Sequence, residues 1–259
     1  MGKNIRDIKV GDMVACAGAG KANHAEYVAI PENLVAKVPC ETEFLYASSA
    51  TIGAIAMQGV RQCNPLLGET IVVVGLGLIG RLTAFILQAN GVNVIGIETN
   101  PVRIQSALDT DFIKVINPTT QNVLNEIKFL NSNLVDGVII TASSKDNKLI
   151  NQALEITRKK GRVVVVGNIG LNILRSAWYE KEIDLKISYS YGPGRGDYMY
   201  EEKGVDYPLE FVRFTEKRNM ESFLKLLQND RSSIRFIINK TIKFDDCISV
   251  YQELKERPE

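Results

Sequence analysis

A continuous apolar run, Thr70-Ile71-Val72-Val73-Val74, passes straight into Gly75-Leu76-Gly77-Leu78-Ile79-Gly80, and then into a segment whose apolar residues fall at helical spacing (Leu78, Ile79, Leu82, Phe85, Ile86). A strand without polar alternation is buried on both faces, as in parallel sheets covered by helices on each side. The glycine spacing has a steric meaning. Gly75 permits a tight turn, Gly77 lets the backbone approach a pyrophosphate, and Gly80 lets helix and strand pack closely. Free N–H groups at the helix start, around Leu78 and Ile79, point at such an anion, helped by the helix dipole. Alone a GxGxxG says little. Between a buried strand and a helix it predicts a dinucleotide site.

The flanking chain repeats the alternation. Further strands are predicted over residues 92–97, 113–116, 137–141, 162–166 and 185–190, and helices over 78–90, 101–108, 121–129 and 147–159. Repeated βαβ units imply an α/β fold, with a doubly wound, parallel, six-stranded Rossmann sheet across residues 46–190. Residues 1–45 have a different texture: short strands over 10–16, 25–31 and 35–39, too few to close a β-rich domain. Residues 191–259 open on the irregular Tyr191-Gly192-Pro193-Gly194-Arg195-Gly196-Asp197. They predict a helix capped by Asn219 and running through Leu227, a strand over 234–238, and a last helix opened by Asp245-Asp246.

Glu98 ends the second strand of the sheet, eighteen residues after Gly80. A carboxylate there accepts hydrogen bonds from the adenosine ribose and repels a 2′-phosphate, so NAD is favoured over NADP. Arg103 keeps NADP as second choice, since a nearby arginine neutralises that phosphate. Thr141-Ala142-Ser143-Ser144 and Gly167-Asn168-Ile169-Gly170 follow the fourth and fifth strands and line the crevice where ligands bind in open α/β sheets. No cysteine pair has C-x2-C spacing and His24 is the sole histidine, so no metal site is expected; Cys16, His24 and Glu26 are the nearest to a ligand set.

The net charge of +1 supplies no electrostatic reason for a nucleic-acid or membrane partner. No apolar run reaches the roughly 20 residues that span a bilayer, and the N-terminus shows no secretory h-region. Four scattered cysteines suit a reducing cytoplasm.

The order of motifs resembles the medium-chain dehydrogenase/reductase superfamily, the relatives of zinc alcohol dehydrogenases. Val10-Gly11-Asp12-Met13-Val14 is similar to its "VGDRV" strand, Ala25-Glu26-Tyr27-Val28 before Pro31 to its "AEYV…P", and Leu67-Gly68-Glu69-Thr70 to its lead into the first coenzyme-domain strand. Ala15-Cys16-Ala17-Gly18-Ala19-Gly20, Asn23 to Tyr27, Ser190 to Arg195 and Glu201 to Pro208 resemble the bi-domain oxidoreductase branch, often found with bacterial surface-polysaccharide biosynthesis. The resemblance implies a partial GroES-like catalytic domain over 1–45 and a return segment over 191–259. It implies that Gly75, Gly77, Leu78, Ile79 and Gly80 hold the pyrophosphate. Glu98, Thr99 and Arg103 would flank the ribose, and Thr141 and Ala142 the adenosine half. Val166, Gly167, Asn168 and Tyr191 would lie at the nicotinamide carboxamide.

The departures from the family pattern also carry expectations. The family's Cys and Gly-His-Glu zinc ligands precede the "VGDRV" strand, which here lies near the start. Residues 48–51 lack the third ligand, and Gly18 to Asn23 stands where the four-cysteine lobe would be. The resemblance therefore implies a zinc-independent fragment, a homodimer through the edge strand 185–190, and a small-molecule substrate of sugar type. Hydride transfer between NAD and an alcohol or sugar-derived carbonyl is the leading expectation. His24 and Tyr191 are candidate proton donors by type only, so no catalytic residue is assigned. The alternative is a dinucleotide-binding or regulatory module without turnover. A methyltransferase is opposed by the three-glycine spacing.

Overall fold

The computed structural model describes the chain except residues 1, 4, 6, 110–113, 230–233, 236, 237, 239 and 257–259. A parallel six-stranded sheet forms the centre, built from β3 (Thr70–Val74), β4 (Asn93–Ile97), β5 (Lys114–Ile116), β6 (Val135–Ile140), β7 (Thr157–Val165) and β8 (Asp184–Ile187), in the spatial order β5-β4-β3-β6-β7-β8. The order reverses at β3, whose neighbours are β4 on one side and β6 on the other. That reversal opens a crevice at the strand C-termini, and the glycine turn sits there.

Both faces of the sheet are covered, because successive residues of each strand point opposite ways. Ile71 and Val73 of β3, Ile139 of β6 and Val164 of β7 join one apolar cluster with α2 (Ala50–Cys63), α3 (Leu78–Ala89) and α9 (Glu216–Asn229). Val72, Val74, Val138, Ile140, Val163 and Val165 join the other, under α5 (Val123–Leu130) and α6 (Lys148–Ile156). The remaining helices are α1 (Phe44–Ala47), α4 (Pro101–Leu108), α7 (Arg175–Lys181), α8 (Tyr198–Glu201) and α10 (Cys247–Glu256). At the opposite end of the strands from the crevice, Arg162 pairs with Glu69 and Arg158 with Asp136 at 2.7 Å, while the Thr70 N–H donates to Asp136 at 2.8 Å. These bonds tie the starts of β3, β6 and β7 together.

Residues 1–45 contribute one antiparallel pair, β1 (Val14–Cys16) with β2 (Val35–Lys37). Ala17, Leu34, Ala36 and Val38 from this region enter the same cluster as α2 and α9. The α2–α9 contact is tight: a Cβ on Gly53 would meet the Phe223 ring at 2.3 Å.

Several sequence expectations need correction. Residues 25–31 form no strand; Tyr27 is 92% exposed, and an extended segment without a partner strand makes no ladder. The helix predicted to 159 ends at Ile156. Thr157 turns extended and donates its hydroxyl to Ala153 O at 2.6 Å, and Lys181 Nζ caps the carbonyls of Leu154, Glu155 and Thr157. The sixth strand stops at Ile187, because Ser190 adopts a left-handed φ of 49° and starts a turn. The helix predicted to start at Asn219 starts at Glu216 instead. The predicted strand over 234–238 falls partly, and residue 113 wholly, outside the described residues.

Candidate functional site

The turn after β3 is built by backbone constraint. Gly75 has φ +90°, a region L side chains avoid, and a Cβ on it would meet Ala142 at 2.8 Å. A Cβ on Gly80 would lie 1.8 Å from Gly75 O. Gly77 differs. Its φ is −64°, and a Cβ on it would find nothing nearer than Arg103 Nη1 at 4.0 Å. No described side chain caps α3, whose N-cap is Gly77. Gly75 and Gly80 are thus required by the protein itself, while Gly77 leaves an open cradle before uncapped N–H groups, with Arg103 beside it. Leu78 is 40% exposed at this edge and Ile79 half-buried.

Neighbouring strand ends hold the turn. Thr141 Oγ1 lies 2.7 Å from Gly75 O and 3.0 Å from Val74 O, and the Ala142 N–H donates to Val74 O at 3.0 Å. Thr141 therefore clamps the turn rather than facing outward. Gly167 is crowded: a Cβ there would meet Ala142 O at 2.0 Å. The Val166 and Gly167 N–H groups both donate to Ile140 O, at 2.9 and 3.0 Å, and the Asn168 carbonyl accepts from the Ser144 N–H at 2.9 Å. Asn168 itself is exposed.

Glu98 is only 6% exposed. Its Oε2 accepts the Leu76 N–H at 2.7 Å; its Oε1 accepts the N–H groups of Thr99 at 2.8 Å and Asn100 at 3.0 Å. The carboxylate thus joins the glycine turn to the turn before α4. Thr99 is exposed beside it. Gly75, Glu98, Thr99, Ala142 and Ser144 line one cleft of about 570 Å³, with Lys148 and Gln152 opposite. Seven of the predicted positions, Gly75, Gly77, Gly80, Glu98, Thr99, Thr141 and Ala142, are brought together around the turn by these contacts.

Tyr191 stands apart from that cleft wall. It is 6% exposed, its carbonyl accepts Asn219 Nδ2 at 2.9 Å, and its hydroxyl has no partner among the described residues. Burial, and then the Glu216 carboxyl, pushes the phenol up to about 12. Asn219 is fully buried, and its Oδ1 also accepts Arg61 Nε at 2.7 Å. An asparagine's capping preference is local; here three tertiary partners override it. Sequence reading missed Gln58, Arg61, Glu201 and Glu216 in this region. A glutamate in a helix's first turn reads as a solvated complement to the helix dipole, and nothing local signals that Glu216 is 1% exposed.

Among the described residues no group of three or more His, Cys, Asp or Glu is placed to hold a metal ion. His24 Nε2 lies 2.7 Å from the Tyr251 hydroxyl, in the groove between the 23–24 turn and α10. No described helix is long and apolar enough to cross a membrane.

The profile of a family described as zinc-binding dehydrogenase matches residues 78–206. Over that stretch the chain is similar to zinc-type alcohol dehydrogenase-like proteins. A D-guloside 3-dehydrogenase of Shigella flexneri is 27% identical over all of this chain, which covers 71% of that protein. An uncharacterized zinc-type alcohol dehydrogenase-like protein of Haemophilus influenzae is 24% identical over 90% of the chain. This chain spans only 61% of its length. The crystal structure of 2R,3R-butanediol dehydrogenase from Bacillus subtilis superposes with a TM-score of 0.77 at 22% identity, covering 99% of this chain and 74% of that one. That likeness shows the shared fold.

Proposed function

We propose that this chain binds a nicotinamide dinucleotide, NAD(H) ahead of NADP(H), and serves hydride transfer between it and an alcohol or sugar-derived carbonyl without zinc. The open cradle at Gly77 carries the reading: two neighbouring glycines are demanded by the fold, and this one leaves space before uncapped N–H groups. When bound, the nicotinamide would donate or accept the hydride; the protein supplies binding and orientation. Gly77, Leu78 and Ile79 present backbone donors to the pyrophosphate, with Arg103 adding charge. Glu98 braces the turn from below and offers its remaining acceptor capacity, with Thr99, to the ribose. Thr141 and Ala142 brace the adenosine side. Val166, Gly167, Asn168 and the Tyr191 turn form the nicotinamide end.

Zinc independence is supported by residues 48–51, which read Ser-Ser-Ala-Thr, and by the engagement of His24 with Tyr251. A sugar-type substrate is supported by the D-guloside dehydrogenase relative. Ile187 at the end of β8 and Tyr189 just beyond it, 57% and 65% exposed, support a homodimer through that edge. The free cysteines support a cytoplasmic setting.

One observation favours a second reading, a dinucleotide-binding module without turnover: of the two candidate proton donors, His24 is hydrogen-bonded to Tyr251 and the Tyr191 hydroxyl is buried. Titration with NADH and NADPH, followed by melting shift, together with NAD reduction over a panel of sugar alcohols, separates the cases. Turnover supports the dehydrogenase, a melting shift without turnover supports the module, and no shift with either cofactor sinks both.

A further inference from the structure

Among the buried polar atoms with no hydrogen-bond partner among the described residues are the Tyr191 hydroxyl and both carboxyl oxygens of Glu216. Glu216 opens α9, and its backbone N–H donates to Pro193 O at 2.8 Å, so it is tied to the Tyr191–Asp197 turn. The charged and titratable groups around it come from several elements. Arg195 stands 5.5 Å from the Tyr191 ring, but its Nη1 is taken by Glu201 at 2.8 Å. Tyr200 donates to Thr215, and Tyr207 to Asp197. Burial, followed by the Glu201 charge, holds the Glu216 carboxyl up at about 8, with Arg195 opposing. A buried carboxyl with no cation of its own is cheaper neutral. A neutral carboxyl and a phenol each donate and accept, and one internal water with two to four polar neighbours satisfies both.

The turn has a physical route to the cleft. Asn219 Nδ2 bridges Tyr191 O and Gln58 Oε1, at 2.9 and 3.2 Å. The next residue, Gly59, packs so closely that a Cβ would lie 2.8 Å from Val166 Cγ2. We propose that Glu216 is a positioning residue: as an uncharged acid bridged through one internal water to the Tyr191 hydroxyl, it seats the Tyr191 turn against the nicotinamide end. The last clause rests on the dinucleotide reading; the seating does not.

The test compares the wild-type chain, Glu216→Gln and Tyr191→Phe from about pH 6 to about pH 9. Without cofactor, the wild-type melting temperature falls as pH rises from the ordinary carboxyl value through about 8. The sign follows because the folded state keeps a proton that the unfolded chain releases, so raising pH favours unfolding. Glu216→Gln flattens that slope. The infrared band of a protonated carboxylic acid is present at neutral pH in the wild type and lost in Glu216→Gln. NADH affinity of the wild type weakens roughly fivefold across the range, Glu216→Gln holds the low-pH affinity throughout, and Tyr191→Phe is weaker at every pH. Parallel melting profiles in wild type and Glu216→Gln overturn the proposal whatever NADH does. Tyr191→Phe as stable and as tight-binding as wild type overturns the bridge. A pH-independent NADH affinity with the melting difference intact overturns the link to the cleft. No NADH saturation in any of the three proteins, with the melting and infrared differences intact, upholds the seating and overturns the dinucleotide reading instead.

Discussion

Two buried glutamates, one against the glycine turn and one in the first turn of α9, are held in opposite ways. Glu98 is 6% exposed and receives the backbone N–H groups of Leu76, Thr99 and Asn100. Glu216 is 1% exposed and receives nothing from the described residues. The first is a cross-brace: remove it, and three donors lose their acceptor. The second is a lone group whose protonation state follows from burial. Depth alone therefore does not tell what a carboxyl does. The number of donors aimed at it does.

That contrast can be broken or sharpened by substitution, beginning with the largest effect. Gly80→Ala puts a Cβ 1.8 Å from the Gly75 carbonyl, a backbone atom that has nowhere to go. It is expected to cost ~3 kcal/mol or more in urea unfolding and to abolish NADH binding; a near-wild-type midpoint would refute the turn geometry. Glu98→Ala follows, at about 2 kcal/mol, from buried N–H groups left without an acceptor. If it proved no worse than a Glu216 substitution at neutral pH, the distinction between the two carboxyls would fail. Arg61→Ala removes the support beneath the Tyr191 end. There the guanidinium stacks 3.2 Å from the Phe214 ring centroid and bonds Asn219 and Ser222. A loss of about 1.5 kcal/mol is expected by thermal and chemical unfolding, with the turn at Gly75–Gly80 still able to bind NADH.

Smaller effects discriminate more finely. Glu216→Gln should exceed the wild type in stability already at neutral pH and by a wider margin near pH 9, read from paired melting curves. Gly77→Ala is expected to change stability least, within ~0.5 kcal/mol, because its φ suits alanine and the nearest described atom, Arg103 Nη1, lies 4.0 Å from the new Cβ. NADH affinity should nevertheless fall about tenfold. Calorimetry showing unchanged affinity would remove the observation on which the dinucleotide reading stands.

The parts of this molecule that can be read in sequence are those whose structure depends on neighbours a few residues away. Thr70–Val74 is a strand with the predicted bounds, since an apolar run stopped by a positive-φ glycine has little freedom. Pro101–Leu108 is likewise a helix with both predicted ends, because Pro101 suits its first turn and Asn100 Oδ1 accepts the N–H groups of Val102 and Arg103. Where the outcome depended on a distant partner, local signals misled. Residues 25–31 read as a strand ended by Pro31 and found no ladder. Asn219 had the chemistry of a cap and became a buried bridge among Gln58, Arg61 and Tyr191.

The amino-acid order by itself determined the alternating, doubly wound sheet and the glycine turn with its acidic neighbour, because spacing and backbone sterics act within a βαβ unit. Only the tertiary structure decided that Gly77 is open where Gly75 and Gly80 are closed, that Glu98 faces three N–H donors, and that the Glu216 carboxyl is buried with no partner among the described residues. Each of these depends on what a third segment of chain brings near, and no local pattern encodes that proximity.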